Sequence, residues 1–502
     1  MGGIRRAWVR AGVSAASVVA VVAGLAASSG AGAQTSGSAS EWPQPGGDYA
    51  NSRTAVGSTV ESSNVAGLAK AWEVTTPGSL TTAVVVVGDT IYMEDSRCVI
   101  TAIDRSTGAV KWRSASVGFT IGPQGVSIGD GAVFATTPTG AIALEQDDGQ
   151  VRWKQELTET PTEGVDAQPQ FVNGKVLIAT VPVSARVQYQ GGDRGILYAL
   201  DAKTGDIDWM FDTVGSDDLW GNADVNSGGG AWYPPAVDPK SGLVYWGVAN
   251  PAPFPGTPEF PNGSSRPGRN LYTDSTVALS LKTGKLRWYR QAVAHDIFDQ
   301  DFVHALIARV GTGDDARRVV IGAGKGGQVL GMDPGTGKLL WKTAVGVHEN
   351  HDLTSLTGPT DVMPGTYGGV LTPPATADGV VYVATLNAPA TLAPDKTAYF
   401  GASVGTQDGE VVAIDAATGK HRWATKVPGD PMGGATVVND LVITGTYQGQ
   451  VIALDRTTGK IVTTVDVGNG IAGWPAAVGD LLLVPTGVVA RPGTLVAYRL
   501  TS

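Results

Sequence analysis

The feature that most constrains the fold of this chain is a short motif that recurs along it. The motif reads as a hydrophobic residue, Asp, two variable residues, Thr-Gly, three variable residues and Trp. Four copies carry every element, at 103–112, 200–209, 332–341 and 414–423. Three degenerate copies, at 144–153, 279–288 and 454–463, lack one or two elements, and the last has Thr463 in place of Trp.

Each copy reads as a turn between two strands. The Asp can accept backbone N–H groups across the turn, and the Gly supplies the positive φ that a tight reversal needs. A Trp at the same place in each unit can bridge neighbouring sheets and bury a large apolar area. Repeats of this length with several short strands are typical of a β-propeller.

The spacing of the Trp residues predicts the number of blades. Successive steps are 41, 56, 79, 53 and 82 residues. If the two long steps each contain two blades, and the units at Trp72 and Thr463 are added, the total is about eight. We therefore predict an all-β, eight-bladed β-propeller, because unrelated hairpins would not keep so regular a spacing.

Composition agrees with a single propeller. The chain has 502 residues, of which 69 are Gly and 42% are hydrophobic, so the glycines fit many turns between buried strands. The formal net charge is −10 and there is no basic stripe, which argues against nucleic acid and anionic membrane surfaces as partners.

The N-terminal residues read as an export signal. Arg5, Arg6 and Arg10 form a basic region, residues 12–27 are small and apolar, and residues 31–33 form a small-x-small cleavage site. The apolar stretch is short for a membrane anchor. Arg5-Arg6 also fits a twin-arginine signal loosely, so the export route stays open.

These signals divide the chain into three segments. We predict a signal peptide over 1–33, a flexible linker over 34–41 and one propeller over 42–502, in a secreted or cell-envelope protein with no membrane span after cleavage. Cys98 is the single cysteine, so the chain has neither an intramolecular disulfide nor a Cys-x-x-Cys-His haem motif.

Residues 215–305 interrupt the repeat, and propellers carry their sites in such connections. Three glycines, 228–230, stand beside Trp232, whose indole offers a platform for a flat ligand. Asn250 offers an amide oxygen to a hard cation, and residues 295–301 hold three carboxylates that suit either a cation or general-base catalysis. Taken singly, each feature also fits an ordinary loop.

Residues 228–302 resemble the quinoprotein alcohol dehydrogenases, eight-bladed propellers that bind pyrroloquinoline quinone (PQQ) and calcium. The resemblance extends over nearly all of 42–490 and includes the repeat, which is that family's blade-docking motif. The residues that carry it are Gly228-Gly229-Gly230-Ala231-Trp232, Asp238-Pro239, Asn250-Pro251-Ala252-Pro253, the stretch 266–273 and His295-Asp296-Ile297-Phe298-Asp299, together with Asn51-Ser52-Arg53 and residues 64–72.

The resemblance implies roles for individual residues. Trp232 would lie flat against the quinone, and Lys325 would reach its reactive carbonyl oxygens. Asp299 would be the base that removes the alcohol proton. Further residues implied beside the cofactor are Arg194, Gly229 and Gly230, and those implied as calcium ligands are Asn250, Asp299 and Gln190.

The sequence also departs from that family. Gln190 stands where the family has a calcium-binding Glu, and Asp193 is a possible substitute. The family's adjacent cysteine pair is absent, and Phe298 replaces the Trp before the catalytic Asp. Residues 348–352 contain two histidines, which suit either a metal site or a polar loop.

Three functional hypotheses follow. The first is an exported PQQ-dependent dehydrogenase that oxidises an alcohol or sugar with calcium and passes electrons to a separate acceptor. The second is a non-catalytic propeller that binds partner proteins. The third is a cofactor-binding propeller without turnover. The first accounts for both the repeat and the order of Trp232, Asn250 and Asp299.

Overall fold

Antiparallel sheets of four strands, repeated eight times around one axis, make up this computed structural model. It describes residues 41–182, 191–397, 404–488 and 491–500. The predicted signal peptide and all but the last residue of the predicted linker lie outside the described residues. Within the described ranges no helix is long and apolar enough to cross a membrane.

The strands of blades 1 to 7 run in chain order from the axis outward. Those of blades 1 to 4 are Val85–Val87, Thr90–Glu94, Ile100–Asp104 and Val110–Arg113; Ser127–Gly129, Ala132–Thr137, Gly140–Glu145 and Val151–Glu156; Gln170–Val172, Lys175–Ala179, Ile196–Asp201 and Ile207–Asp212; and Ala236–Asp238, Leu243–Val248, Ser275–Ser280 and Leu286–Gln291. Those of blades 5 to 7 are His304–Val310, Arg317–Gly324, Gln328–Met332 and Leu339–Ala344; Ala375–Ala377, Val380–Leu386, Gly409–Asp415 and His421–Val427; and Thr436–Val438, Leu441–Gly445, Gln450–Asp455 and Ile461–Asp466.

Blade 8 closes the ring with strands from both ends of the propeller. Its first three strands are Ala476–Val478, Leu481–Thr486 and Gly493–Leu500, and its outer strand is Leu68–Thr76. The last two pair antiparallel from Leu68 with Leu500 to Thr76 with Gly493. Smaller elements are strand Thr54–Ala55, which pairs with blade 7, the strand pairs Ser227–Gly228 with Pro251–Ala252 and Thr360–Val362 with Ala390–Leu392, and 3₁₀ turns at Val65–Gly67, Leu219–Gly221, Pro261–Gly263 and Gly313–Asp315.

The hydrophobic core lies between neighbouring blades. One cluster joins Leu177 and Leu197 of blade 3 to Val237 and Val244 of blade 4, and all four are almost fully buried. Because the middle strands face a neighbouring sheet on both sides, most of their residues are apolar and buried. Each blade therefore needs both neighbours to bury its faces.

The repeated motif joins each blade to the next. In blade 1, Asp104 Oδ1 accepts hydrogen bonds from the Thr107 backbone N–H at 3.0 Å and the Thr107 hydroxyl at 2.8 Å. The glycine that follows packs under the Trp of the preceding blade, and an added Cβ would lie 2.4–2.8 Å from the nearest atom of that ring. The seven pairs are Gly108–Trp72, Gly149–Trp112, Gly205–Trp153, Gly284–Trp209, Gly337–Trp288, Gly419–Trp341 and Gly459–Trp423.

This contact explains the copy of the motif that lacks Trp. Thr463 lies in blade 7 and faces blade 8, whose third and fourth strands come from opposite ends of the propeller. No Asp-x-x-Thr-Gly turn joins those two strands, so no glycine is present to receive an indole. The missing Trp therefore marks the place where the ring closes.

Eight blades confirm the predicted count, but the reason given for it was wrong. Each long Trp-to-Trp step contains one blade and long connections, not two blades. The connections of the two long steps meet where Asn262 donates to the carbonyl oxygens of Leu356 and Pro394. Beside this contact, the connection from blade 4 to blade 5 adds to a small apolar cluster of Ile297, Phe298, Leu356, Val362 and Leu392. The extra residues thus build a layer over one face of the ring.

The glycine of the motif can be tested directly. We expect Gly419→Ala to destabilise the fold by about 2–4 kcal/mol, because it combines a strained φ with a clash against Trp341. Gly468→Ala is the matched control, since Gly468 has the same φ of 74° and nothing within 4 Å of an added Cβ. Equal losses in urea denaturation of both variants would show that the indole contact contributes nothing.

Candidate active site

The predicted site residues lie on the face opposite the docking turns. Asn250 follows the second strand of blade 4, and Lys325 follows the second strand of blade 5. Trp232 and Asp299 lie in connections from one blade to the next. In an antiparallel blade these positions share one face, whereas the Asp-x-x-Thr-Gly turns lie on the other.

A buried ion-pair group forms the centre of this face. Lys325 Nζ lies 2.9 Å from Asp299 Oδ2 and 2.6 Å from Asp301 Oδ2, and all three side chains are no more than 2% exposed. The Asn250 backbone N–H donates to Asp301 Oδ1 at 2.8 Å. Three predicted residues thus come together with Asp301, to which the sequence analysis gave no separate role.

Burial and charge act in opposite directions on this group. Burial alone would lower the pKa of Lys325, but the carboxylates of Asp299 and Asp301 outweigh it and raise that pKa. Burial raises the pKa of Asp299 well above its usual range, and the Lys325 ammonium opposes that rise. The lysine therefore stays charged, and its charge favours an ionised Asp299.

Trp232 provides the aromatic surface of the site. The Lys325 ammonium lies 5.0 Å from the centroid of its ring, within cation–π range. The indole also stacks on Tyr233, with ring centroids 5.5 Å apart and planes 25° from parallel. Trp232 is half-buried, so part of its surface remains available to a ligand.

The loop that carries Asp299 is held by its own first carboxylate. The two oxygens of Asp296 accept the backbone N–H groups of Phe298 at 2.7 Å and Gln300 at 2.6 Å. Asp299 has a φ of 64°, a backbone conformation that residues other than glycine rarely adopt. Of the three carboxylates at 295–301, those of Asp299 and Asp301 face Lys325, whereas that of Asp296 caps the backbone N–H groups of the loop.

Two functional candidates were missed by the sequence analysis. Asp274 is fully buried, and neither of its carboxylate oxygens has a hydrogen-bond partner among the described residues. Arg266 is also fully buried and donates to the carbonyl oxygens of Pro253 at 2.9 Å and Asp296 at 2.6 Å. Asp274 carries no recognisable local signal, because only the fold brings it near the site.

The remaining predicted cofactor residues contact protein atoms. Arg194 pairs with Asp212 at 2.8 Å. An added Cβ at Gly229 would lie 2.3 Å from Thr213 Oγ1, and one at Gly230 would lie 2.9 Å from Val181 Cγ1. The two glycines therefore allow a close approach between segments of this chain, beside the strand that leads to Trp232.

The predicted metal ligands are only partly assembled. Gln190 lies outside the described residues, and the carboxylate of its possible substitute Asp193 accepts hydrogen bonds from Thr160 and Thr162. In the described part of the chain no three His, Cys, Asp or Glu side chains are arranged to hold a metal ion. Asn250 lies beside Asp301 as described above.

The two histidines of residues 348–352 lie next to the site loop. Their rings are in edge-to-face contact with centroids 4.2 Å apart, and the carbonyl oxygen of His351 accepts from Gln300 Nε2 at 2.9 Å. No third ligand accompanies them among the described residues. The arrangement supports the loop interpretation.

Comparison with known proteins assigns the class. The family model for the β-propeller domain of glucose/ethanol/alcohol dehydrogenases matches residues 139–350. The model for the outer membrane protein assembly factor BamB matches residues 46–114, 273–429 and 407–501. With the relatives described next, these matches show that the chain belongs to the PQQ-dependent alcohol dehydrogenase-like β-propeller family.

The curated relatives are alcohol dehydrogenases of greater length. A polyvinylalcohol dehydrogenase of Pseudomonas sp is 26% identical over 61% of this chain and 51% of its own length. A quinohemoprotein alcohol dehydrogenase of Comamonas testosteroni is 28% identical over 71% of this chain and 56% of its own length. This chain therefore spans about half the length of these relatives.

A solved structure shares the fold. The quinohemoprotein alcohol dehydrogenase from Comamonas testosteroni superposes with a TM-score of 0.78 over 92% of this chain and 80% of that chain, at 23% sequence identity. At this identity the likeness concerns the fold alone.

The buried ion-pair group makes a prediction about stability. Lys325→Met should cost about 3–5 kcal/mol of unfolding free energy, because it leaves two carboxylates buried without their cation. Lys70→Met is the control, since its pair with Glu73 is about half exposed and should change stability by less than about 1 kcal/mol. Urea denaturation at pH 7 measures both, and equal effects would contradict this account of the site.

Proposed function

We propose that this chain is a PQQ-dependent dehydrogenase that oxidises an alcohol or sugar. The observation that carries the proposal is the convergence of an aromatic surface, a buried ammonium group and a candidate base. Lys325 Nζ lies 5.0 Å from the Trp232 ring and 2.9 Å from Asp299. These three residues come from three different inter-strand connections, so the grouping is a property of the fold.

The residues present fit a planar quinone. Trp232 is half-buried and offers an indole face, and the ammonium beside it suits electron-rich carbonyl oxygens. Lys325 and Trp232 would hold the quinone, and Gly229 and Gly230 would shape the backbone beside it. Arg194, which pairs with Asp212, would lie at the edge of the cofactor site.

The residues also fit a hard cation such as Ca²⁺. Four carboxylates, Asp274, Asp296, Asp299 and Asp301, are buried in this region, and Arg266 and Lys325 are the buried cations beside them among the described residues. The group thus carries more negative than positive charge when ionised. Asn250, Asp299 and Asp301 supply the oxygen atoms that calcium prefers, and Gln190 is proposed as a further ligand.

The chain's own residues account for the proton chemistry. When bound, the quinone and cation would supply a hydride acceptor with polarised carbonyl groups. Asp299 would accept the proton of the substrate hydroxyl as the carbonyl product forms. Lys325 would favour the ionised form of Asp299 and steady negative charge that develops beside Trp232.

We extend the proposal to the context of the enzyme. The N-terminal residues support export to the cell envelope or beyond. Electrons would leave the propeller through a separate acceptor. The alternative, a protein-binding scaffold, accounts for the docking motif but gives no role to the buried group around Lys325.

A titration separates these functions. Protein that starts at Gln34 would be titrated with PQQ, and samples with Ca²⁺ or Mg²⁺ but no PQQ would serve as metal controls. Trp fluorescence reports binding, and reduction of a dye in the presence of a panel of alcohols reports turnover. Saturable quenching with dye reduction supports the dehydrogenase. Quenching without reduction supports a cofactor binder without turnover, and the absence of quenching supports the scaffold.

The proposed base has a direct test. Asp299→Asn should lower kcat at least about 1,000-fold, because the amide cannot accept the hydroxyl proton. Circular dichroism and thermal melting should show that the variant is folded. Asp352→Asn, an exposed change on the same face, is the control and should keep full activity. Retained turnover in the Asp299 variant would exclude that residue as the base.

The proposed stacking surface has a separate test. Trp232→Ala should weaken the affinity for PQQ at least about tenfold, since the variant lacks the aromatic face. Trp220→Ala is the matched control, because Trp220 is also half-buried in the irregular stretch but donates to the Leu271 carbonyl oxygen at 3.0 Å. If both variants bind PQQ equally, the assignment of Trp232 is incorrect.

A further inference from the structure

The segment that precedes the first blade crosses the end of the axial channel. Its residues bond to the innermost strand of a blade, or to the turn after that strand, in seven of the eight blades. The contacts, from blade 1 to blade 8, are Trp42 with Val86, Gln44 with Gln170, Tyr49 with Val237, Ala50 with Ile307, Ser52 with Thr376, Arg53 with Val437 and Thr59 with Gly479. Innermost strands surround the axis, so a segment bonded to so many of them must span it.

We name residues 42–60 the axial plug. Gly479 lies in the turn between the first two strands of blade 8, which is on the same face as the docking turns. The axial plug therefore closes the channel at the face opposite Lys325 and Asp299.

One plug side chain reaches through the channel to both segments that carry site residues. Asn51 is 2% exposed, and its amide nitrogen donates to the carbonyl oxygens of Pro234 at 2.9 Å and Ala305 at 3.1 Å. Pro234 is two residues after Trp232, and Ala305 is four residues after Asp301. A single amide group thus links the segment of the aromatic surface to the segment of the carboxylates.

A second plug side chain supports the same aromatic group. The Arg53 guanidinium lies 5.0 Å from the ring of Trp474 and is 3% exposed. The Trp474 ring lies 6.0 Å from Tyr233, which in turn stacks on Trp232. Asn51 and Arg53 therefore both support the segment 232–234 from the side of the plug, Asn51 directly and Arg53 through Trp474.

We propose that Asn51 is a positioning residue of the candidate site. It fixes the separation between the Trp232 surface and the loop of Asp299 and Asp301, although it touches neither. Its backbone has a φ of 55°, so the plug holds it in a conformation that few side chains adopt. The role of Asn51 in cofactor binding rests on the proposed function, whereas its link between the two segments does not.

The experiment compares Asn51→Ala with a variant in blade 7 that removes hydrogen bonds to the plug. Asn439→Ala is the control, because the Asn439 amide also donates to two carbonyl oxygens, those of Ser58 and Val60, at 2.7 and 2.8 Å. Those bonds anchor the plug but reach neither segment of the site. Asn51→Ser, which keeps one donor, covers the case in which the alanine variant does not fold.

Hydrogen exchange of the cofactor-free protein decides the inference. Asn51→Ala or Asn51→Ser should speed exchange in residues 230–236 and 299–306, and Asn439→Ala should not. In the PQQ titration, Asn51→Ala should weaken affinity about tenfold, as expected for two lost buried hydrogen bonds, with KM for the alcohol nearly unchanged. Unchanged exchange in both segments, or the same change in Asn439→Ala, would overturn the positioning role.

These readouts distinguish the failure of the two proposals. If the wild-type protein binds no PQQ, the proposed function is wrong, and hydrogen exchange still tests the link through Asn51. If PQQ binds and the exchange pattern does not respond to Asn51, the proposed function stands and the positioning role is excluded.

Discussion

The contact between a Trp ring and the glycine of the next blade is the interaction on which the rest of the structure depends. A Trp that donates to a carbonyl oxygen across the interface, as Trp112 does to Gln146 at 3.1 Å, fixes both the distance and the rotation between blades. Each such contact sets the geometry between only two neighbouring blades. The ring therefore closes only if the distance and rotation are nearly the same at every interface. Closure falls to the pairing of Leu68–Thr76 with Gly493–Leu500 inside blade 8. The interface between blades 7 and 8 is the one, among the described residues, without a Trp on glycine.

Regular blades leave the connections free to differ, and the connections carry the chemistry. The connections between blades 4 and 5, between blades 5 and 6, and within blade 6 pack on one another through residues such as Phe298, Leu356 and Leu392. That layer excludes water from the group of Asp299, Asp301 and Lys325. Excluding water makes each charge in the group costly on its own and strongly dependent on its partners.

The site depends on the opposite face of the ring as well. The axial plug holds Asn51 against Pro234 and Arg53 against Trp474, so the segment that carries Trp232 is also supported from within the channel. The sequence analysis used Asn51-Ser52-Arg53 only as part of a family resemblance. Their contacts join residues more than 180 positions apart, which no local pattern reveals.

The sequence by itself determined the repeating unit, the all-β class and the stretch in which the site lies. It did so because turn residues and the Trp spacing act locally and are repeated, so each copy reinforces the interpretation of the others. The blade count was right, although its derivation was not, since spacing cannot distinguish a second blade from a long connection. Only the tertiary structure decided that Asp301 joins Asp299 at Lys325, that Asp296 is a loop cap, and that Asp274 and Arg266 are buried nearby. These assignments depend on which connections meet over the axis, and that is set by ring closure rather than by neighbouring residues.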